Sequence, residues 1–254
     1  MTGRTALVTG VSRRIGIGAA VARRLVADGW RVALTGLPGY DAAQPYGGDP
    51  DGVPALLAEL GDRATHVEAD LADPAAPAAL VADARNRLGR FDALVAVHAY
   101  STRTVLGGLD AAEIDRHLVV NVRATMLLVE AFAAGFAAGS GDGRVVLFSS
   151  GQRLGPMPDE LAYAASKAGV EVLTRQFARL LAPRGITVNC VNPGPTDTGY
   201  AGPDAREAVA RLFPGGRWGT PDDAARLVAW LCSPDGQWIT GQVIDSEGGF
   251  DRYV

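Results

Sequence analysis

Tyr163 and Lys167 stand four residues apart, so a helix would carry both side chains on one face. A nearby ammonium favours the tyrosinate and lowers the phenol pKa from its usual value of about 10. A tyrosine tuned in this way can donate a proton and recover it near neutral pH. Lys167 is the one lysine among 24 basic residues, the other 23 being arginine. Chance in an arginine-rich composition is the alternative, but we expect this position to need a compact ammonium.

A glycine-rich segment, TGVSRRIGIG from Thr9 to Gly18, lies between an apolar run and a helical pattern. Glycines at a strand-to-helix turn let the backbone approach a pyrophosphate, whose charge the helix N-terminus stabilises. The segment therefore predicts a dinucleotide site, with contacts from Gly10, Ser12, Arg13, Arg14, Gly16, Ile17 and Gly18.

The elements that would position these residues alternate along the chain. Short apolar or β-branched runs predict strands at 5–9, 31–35, 66–69, 93–97, 144–148, 187–191 and 243–244. Segments of helical period lie between them at 19–27, 80–88, 111–138, 162–181 and 222–231. This alternation predicts an α/β fold of Rossmann type, a doubly wound parallel sheet in one domain that spans residues 1–254.

Two segments interrupt the alternation. Residues 37–53 hold three prolines and four glycines, which predicts a loop after the second strand. Residues 197–219 follow a strand and include a short helical piece at 205–212, so we expect a substrate-binding lid there. An apolar substrate pocket is expected from Tyr100, Leu154, Met157, Tyr200, Phe213 and Trp218.

Composition narrows the function classes. Of the 254 residues, 48% are hydrophobic and 20% charged, which argues against disorder and coiled coil. A net charge of −4 gives no electrostatic basis for binding nucleic acid. Two cysteines cannot form a disulfide framework, and we find neither a secretory segment nor an apolar stretch of membrane-spanning length. We therefore expect a cytoplasmic protein that contacts no membrane and holds no metal.

The order and spacing of the motifs resemble those of the short-chain dehydrogenase/reductase family. The glycine loop is followed by Asn121 in a long helix, Ser150 at a strand end, Tyr163 thirteen residues later and Lys167. Further along come Asn192-Pro193-Gly194, Thr196, Thr198 and Gly248-Gly249. The resemblance therefore covers essentially the whole chain.

This resemblance implies hydride transfer between a nicotinamide and a carbonyl or alcohol carbon. Tyr163 would be the acid and base, Ser150 would hydrogen-bond the substrate oxygen, and Asn121 would hold a water in a proton relay. Lys167 would also bind the cofactor's ribose. Further cofactor contacts are implied at Asp70, Leu71, Pro193, Gly194, Thr196 and Thr198. The family also suggests a homotetramer, or a homodimer, formed through helices 111–138 and 162–181.

The glycine loop departs from the family pattern. If Gly10 and Gly16 are the family's first and third glycines, Arg14 replaces the middle one. Alternatively, Gly16-Ile17-Gly18 is the family's Gly-x-Gly and the loop has two extra residues. We favour the second alignment because the segment is two residues longer than usual. The longer loop is similar to that of bacterial enoyl reductases.

A second departure is Ala96-Val97-His98-Ala99, where the family usually has Asn-Asn-Ala-Gly. The missing asparagine normally braces the sheet beside the cofactor, so its loss bears on local geometry rather than on the chemistry. His98 is either a ligand contact or, as we expect, a core histidine satisfied by its neighbours.

Three residues separate Tyr163 from Lys167, as in carbonyl-acting members, whereas enoyl reductases place six there. Halohydrin dehalogenases use arginine in place of the lysine. These spacings predict a ketoreductase or alcohol dehydrogenase. The rival hypothesis is a catalytically idle nucleotide-binding sensor or scaffold on the same fold.

The cofactor prediction rests on the end of the second strand. Members that use NAD usually carry an acid there for the adenosine 2′-hydroxyl, but this chain has Gly36 and no carboxylate before Asp41. Because no acid would repel it and Arg13 and Arg14 are expected nearby, the site could bind a 2′-phosphate. NADP(H) is therefore favoured, and NAD(H) remains the alternative.

Overall fold

The computed structural model describes residues 3–136 and 142–252. Seven parallel strands form one sheet in the order β3-β2-β1-β4-β5-β6-β7. They are β1 (Thr5–Thr9), β2 (Arg31–Gly36), β3 (Ala64–Glu68), β4 (Ala93–Ala96), β5 (Gly143–Phe148), β6 (Ile186–Asn192) and β7 (Val243–Asp245). The strand order reverses between β1 and β4, and such a switch point opens a crevice at the carboxyl ends of the strands. The predicted α/β fold is confirmed.

Helices cover both faces of this sheet. The helices are α1 (Ile17–Ala27), α2 (Pro38–Ala42), α3 (Gly52–Leu60), α4 (Ala76–Leu88), α5 (Ala111–His117), α6 (Ala124–Ala134), α7 (Leu161–Leu181), α8 (Pro203–Ala210) and α9 (Pro221–Cys232). Those that pack on the sheet are α1, α3 and α9 on one face and α4, α6 and α7 on the other. Ala6 and Val8 of β1 pack into the core that contains α1, α3 and α9. Leu7, which points to the opposite face, packs with α4, α6 and α7. Burial on both faces explains why the central strands are continuously apolar.

The predicted loop at 37–53 is wrong in part, because α2 lies inside it and α3 begins at Gly52. Pro38 opens α2, where a proline is tolerated because its missing N–H would have no helical partner. In α3, Leu56 and Leu60 are one helical turn apart and both are buried in the core. Burial of these two leucines stabilises the helix even though the proline and glycine content of the segment does not favour one.

The helix predicted at 111–138 is divided into three parts. A π-helical turn, Leu118–Arg123, separates α5 from α6, and residues 137 and 138 lie outside the described part of the chain. Such turns insert one residue into a helix and are frequent at functional sites. Asn121 lies in this turn.

The helical run Ala111–Ala134 is 24 residues long and contains an 18-residue window with a mean hydropathy of 1.4, enough by length and composition to cross a membrane. This corrects the expectation that no apolar stretch reaches that length. Core helices pass the same test, however, and Leu128, Val129 and Phe132 of this run are buried against the sheet. The run is therefore weak evidence for a membrane span.

Candidate active site

The carboxyl ends of the strands surround a cavity of about 890 Å³. Most of the sequence-predicted site residues line it, namely Gly10, Ser12, Arg13, Gly16, Ile17, Gly18, Gly36, Asp70, Leu71, Ser150, Tyr163, Pro193, Gly194, Thr196 and Thr198. Asn121 and Lys167 lie behind the wall, buried, and Arg14 lies outside it. We call the region around the glycine loop and the ends of β2 and β3 the cofactor half. The region around Tyr163, Met157, Tyr200, Leu212 and Phe250 is the substrate half.

Three glycines shape the wall of the cofactor half. Gly10 has φ +73°, and a Cβ there would lie 2.8 Å from the backbone nitrogen of His98. A Cβ on Gly18 would lie 2.6 Å from the carbonyl oxygen of Gly10, so the start of α1 can come this close to the end of β1 only with a glycine at position 18. Gly16 is the N-cap of α1. These positions match the alignment with Gly16-Ile17-Gly18 as the Gly-x-Gly and two extra residues before it.

The end of β2 cannot carry the acid that NAD-dependent relatives usually have. A Cβ on Gly36 would lie 2.3 Å from the carbonyl oxygen of Val11, closer than any real contact. A carboxylate reaches the cavity from α2 instead, because Asp41 is buried in its wall. Asp41 accepts hydrogen bonds from the Ser12 hydroxyl and, at 3.2 Å, from the Tyr46 hydroxyl. Sequence reasoning missed this placement because it treated the segment as a loop.

Arg13 and Arg14 have different surroundings. The Arg13 guanidinium lies 4.6 Å from the centre of the Tyr46 ring and lines the cavity. Its Nε is buried and has no hydrogen-bond partner within residues 3–136 and 142–252. Arg14 instead forms an ion pair with Asp49 at 2.9 Å on the surface. Of the two predicted phosphate contacts, the structure therefore brings only Arg13 to the cavity.

Helix α7 carries Tyr163 and Lys167 on one face, as the spacing predicts. The Lys167 Nζ lies 5.6 Å from the centre of the Tyr163 ring and donates a hydrogen bond to the Phe148 carbonyl at 3.0 Å. Ser150, just beyond β5, lines the cavity together with Tyr163, and its hydroxyl acts to lower the pKa of the phenol. Two hydroxyls and an ammonium are thus held together at the junction of the two halves.

The electrostatics of this group differ from the expectation of a lowered tyrosine pKa. Burial raises the pKa of Tyr163, the negative charge of Glu160 raises it further, and the Ser150 hydroxyl opposes them. Burial also lowers the pKa of Lys167 to about 8. The cost of burying a tyrosinate outweighs the stabilisation available from its neighbours.

Asn121 is buried and its side-chain amide is fully engaged. Its Nδ2 donates to the Tyr100 carbonyl and to Ser166 Oγ, both at 2.9 Å, and its Oδ1 accepts from the Tyr100 N–H at 2.7 Å. These bonds tie the π-helical turn to the segment after β4 and to the residue before Lys167. The amide therefore positions the helix that carries the lysine.

His98 is satisfied by its neighbours, as expected for a core histidine. Its Nε2 lies 3.2 Å from the Val120 carbonyl, which can only accept, so Nε2 carries the proton. Its Nδ1 then accepts from the Thr9 hydroxyl at 2.7 Å. Burial, aided by the charge of Lys167, lowers the pKa of His98 to about 3, so the ring is neutral. His98 thus links β1 to the π-helical turn where the family has its bracing asparagine.

The substrate half differs in part from the predicted pocket. Tyr100, Met157 and Tyr200 line the cavity, whereas Leu154, Phe213 and Trp218 do not. Trp218 packs beside Tyr200 with 5.9 Å between ring centres, and Phe213 is buried against Phe250. Leu212, Phe250, Arg252 and Glu160 also line this half, and Arg116 lines the cavity over the Tyr100 ring. The contribution of the C-terminal segment was missed because it depends on long-range folding.

Residues 197–219 form an excursion closed at its base. Asp197 N–H donates to the Gly219 carbonyl at 2.8 Å, and Gly219 N–H donates to the Pro195 carbonyl at 3.1 Å. Within the excursion, Thr198, Tyr200 and Leu212 line the cavity. Helix α8 lies between the last two, close to the helical piece predicted at 205–212.

Comparisons with known proteins cover nearly the whole chain. The family model described as enoyl-(acyl carrier protein) reductase matches residues 10–251. The uncharacterized oxidoreductase YjdA of Bacillus subtilis (strain 168) is 39% identical over 253 residues, 98% of this chain and 97% of the relative. The cyclic-di-GMP-binding biofilm dispersal mediator protein of Escherichia coli (strain K12) is 36% identical over 253 residues, 98% of each chain.

A solved structure extends the likeness to the fold. The blue fluorescent protein from a metagenomic library, in complex with NADPH, superposes with a TM-score of 0.86 at 35% identity and 98% coverage of both chains. The matched family model, the oxidoreductase relatives and the seven-stranded sheet agree with the motifs of the cavity. The chain belongs to the short-chain dehydrogenase/reductase family, whose members are oxidoreductases.

Proposed function

We propose that the protein is an NADP(H)-dependent ketoreductase that transfers a hydride between the nicotinamide and a ketone or secondary alcohol. One observation carries the proposal: Ser150 and Tyr163, with the buried Lys167 behind them, line the same cavity as the glycine loop. The three-residue spacing from Tyr163 to Lys167 favours carbonyl chemistry over enoyl reduction. Family membership supports the oxidoreductase class.

The bound cofactor would supply the hydride. The Ser150 and Tyr163 hydroxyls would hold the carbonyl oxygen, and Tyr163 would donate its proton to the alkoxide that develops there. The tyrosinate left behind would be stabilised by the Lys167 ammonium, which the pKa of about 8 keeps mostly charged at neutral pH. Asn121 would keep α7 in place through Ser166.

The cofactor half fits a dinucleotide. Gly10, Gly16 and Gly18 leave the backbone and the N-terminus of α1 open to a pyrophosphate, because a Cβ at Gly10 or Gly18 would clash with backbone. Arg13, with its unpartnered Nε, would bind a 2′-phosphate, and the similar structure with NADPH agrees with that assignment. Asp41 is the residue that favours NAD(H), since its carboxylate repels a phosphate and suits a ribose hydroxyl.

The proposal is tested by following NADPH and NADH consumption by the purified protein with a panel of ketones and of activated alkenes. We expect NADPH to be consumed with ketones and left unused with the alkenes. Turnover of the alkenes alone would contradict the ketoreductase assignment. Faster reaction with NADH would contradict only the choice of cofactor.

An idle nucleotide-binding protein is the second candidate. A relative at 36% identity is named for binding cyclic di-GMP, and the Ala96–Ala99 segment departs from the family sequence. Calorimetry that shows tight binding of NADPH or cyclic di-GMP, without turnover of any carbonyl or alcohol, would favour this candidate.

We also propose a cytoplasmic homotetramer, or a homodimer. Exposed apolar side chains lie on the helical run that includes Leu118 and Met126, and on α7 at Val172 and Leu180. Two symmetric copies could cover them. Both cysteines are free and buried, which suits a reducing compartment. Light scattering that gives the mass of one chain at micromolar concentration would contradict the assembly.

A further inference from the structure

Three charged side chains, Arg116, Glu160 and Arg252, line the cavity around Tyr100 and Tyr163, and among the described residues only Arg252 is in an ion pair. Arg252 forms an ion pair with Glu247, and both side chains are largely buried. Glu160 is half-buried in the same cavity wall, yet its carboxylate forms no ion pair and accepts no hydrogen bond within the described ranges. Glu160 therefore leaves an uncompensated negative charge in the substrate half.

Glu160 has no structural task that would explain its carboxylate. It occupies the N-cap of α7, where a carboxylate often accepts from the first turn, but its side chain makes no such bond. A backbone hydrogen bond fixes the start of α7 instead, since the Leu161 N–H donates to the Thr104 carbonyl at 3.1 Å. The neighbouring Asp159 points away and pairs with Arg103 at 2.7 Å on the surface.

The Glu160 carboxylate acts on the groups that would meet the substrate. Its charge raises the pKa of Tyr163 and also that of Tyr200. Its own pKa is raised by burial and by the like charge of Asp159. A half-buried anion is stabilised by an opposite charge held close to it, and no side chain of the described cavity wall supplies one to Glu160.

We propose that Glu160 determines specificity by binding a cationic group of the substrate, so that the enzyme prefers ketones with an ammonium group beside the carbonyl. Glu160 precedes Tyr163 by one helical turn, so one small molecule can reach both the carboxylate and the phenol. The same charge would disfavour keto acids. This inference rests on the proposed ketoreductase function and adds the class of substrate.

The test uses two ketones of the same shape, acetonyl-trimethylammonium and neopentyl methyl ketone, which differ by a permanent positive charge. The quantity measured is kcat/KM with NADPH for the cation divided by kcat/KM for the neutral ketone. We expect E160Q to lower this ratio about tenfold, the effect of losing one partly desolvated charge pair. The greater intrinsic reactivity of the cationic ketone cancels when the two proteins are compared.

D159N is the matched control, because it removes the adjacent carboxylate that lies outside the cavity. We expect its ratio to equal that of the unmodified protein. An unchanged ratio in E160Q would overturn the inference, and so would an equal fall in D159N, which would indicate a general effect of net charge. If the unmodified protein reduces other ketones of the panel but neither of these two, the inference alone fails; if it consumes NADPH with no ketone at all, the proposed function itself fails.

Discussion

The two halves of the cavity have walls of different kinds. In the cofactor half, backbone lies at the surface, because Gly10, Gly18 and Gly36 each leave no room for a Cβ. In the substrate half, side chains form the wall, and they come from the excursion after β6 and from the C-terminal segment. A backbone wall tolerates almost no change and suits one constant ligand. A side-chain wall can vary without disturbing the sheet, which suits a substrate that differs among relatives.

The largest effect on cofactor binding and stability is expected from substituting a glycine that packs directly against backbone atoms. G18A would place a Cβ 2.6 Å from the Gly10 carbonyl and force α1 away from β1. We expect at least about 100-fold weaker NADPH binding and a loss of about 3 kcal/mol in the free energy of unfolding. Calorimetry and urea denaturation measure the two effects. G39A is the control, since a Cβ there meets nothing within 4 Å. Equal losses of NADPH affinity and of stability in the two variants would contradict the idea that close backbone packing shapes the cofactor half.

Lys167 lies at the junction of the halves, and K167R tests whether a guanidinium can replace it. Lys167 as a whole is 3% exposed, and its ammonium donates to one carbonyl at 3.0 Å, so the site has little room for a planar group. We expect kcat to fall about 100-fold. In the unmodified enzyme, kcat for ketone reduction should fall as pH rises past about 8, because Lys167 then loses its charge. Any residual activity of K167R should lack this inflection, since arginine stays charged.

Substitutions that alter the preference for NADPH over NADH are expected to have smaller effects than G18A or K167R. R13A should lower the ratio of kcat/KM for NADPH to that for NADH about tenfold, because one charged contact with the 2′-phosphate is lost. D41N should raise the same ratio by removing a negative charge from the same wall. R14A serves as the control because Arg14 pairs with Asp49 outside the cavity. If R14A lowered the ratio as much as R13A does, the assignment of the 2′-phosphate contact to Arg13 would be contradicted.

The smallest effect is expected in the side-chain wall. L212A removes apolar surface from the substrate half and leaves the glycine loop untouched. We expect KM for the ketone to rise about threefold while the Kd for NADPH stays the same. A change in the Kd for NADPH as large as the change in KM would show that the two halves are not independent.

The difference between the halves also explains what could be predicted from the sequence. Tyr163 and Lys167 lie one helical turn apart, and the glycine loop joins one strand to one helix, so short-range spacing places them correctly. The strand and helix alternation likewise predicts the sheet, although element ends shift by a few residues. These features depend on local geometry alone.

Other features depend on folding over long distances. Arg252 and Phe250 reach the substrate half only because the C-terminal segment returns to the loop after β5. Asp41 enters the cofactor half because α2 turns the chain back over the cavity. The raised pKa of Tyr163 follows from burial, which spacing does not reveal. Such properties require the packed structure.

In the proposed reaction, the Tyr163 hydroxyl supplies the proton for carbonyl reduction. Y163F removes that oxygen and keeps the ring, so the most direct measurement is kcat for NADPH-dependent ketone reduction by Y163F, with the Kd for NADPH measured beside it. We expect kcat to fall at least about 1000-fold with little change in the Kd for NADPH. Full turnover by Y163F would contradict this role of the Tyr163 hydroxyl.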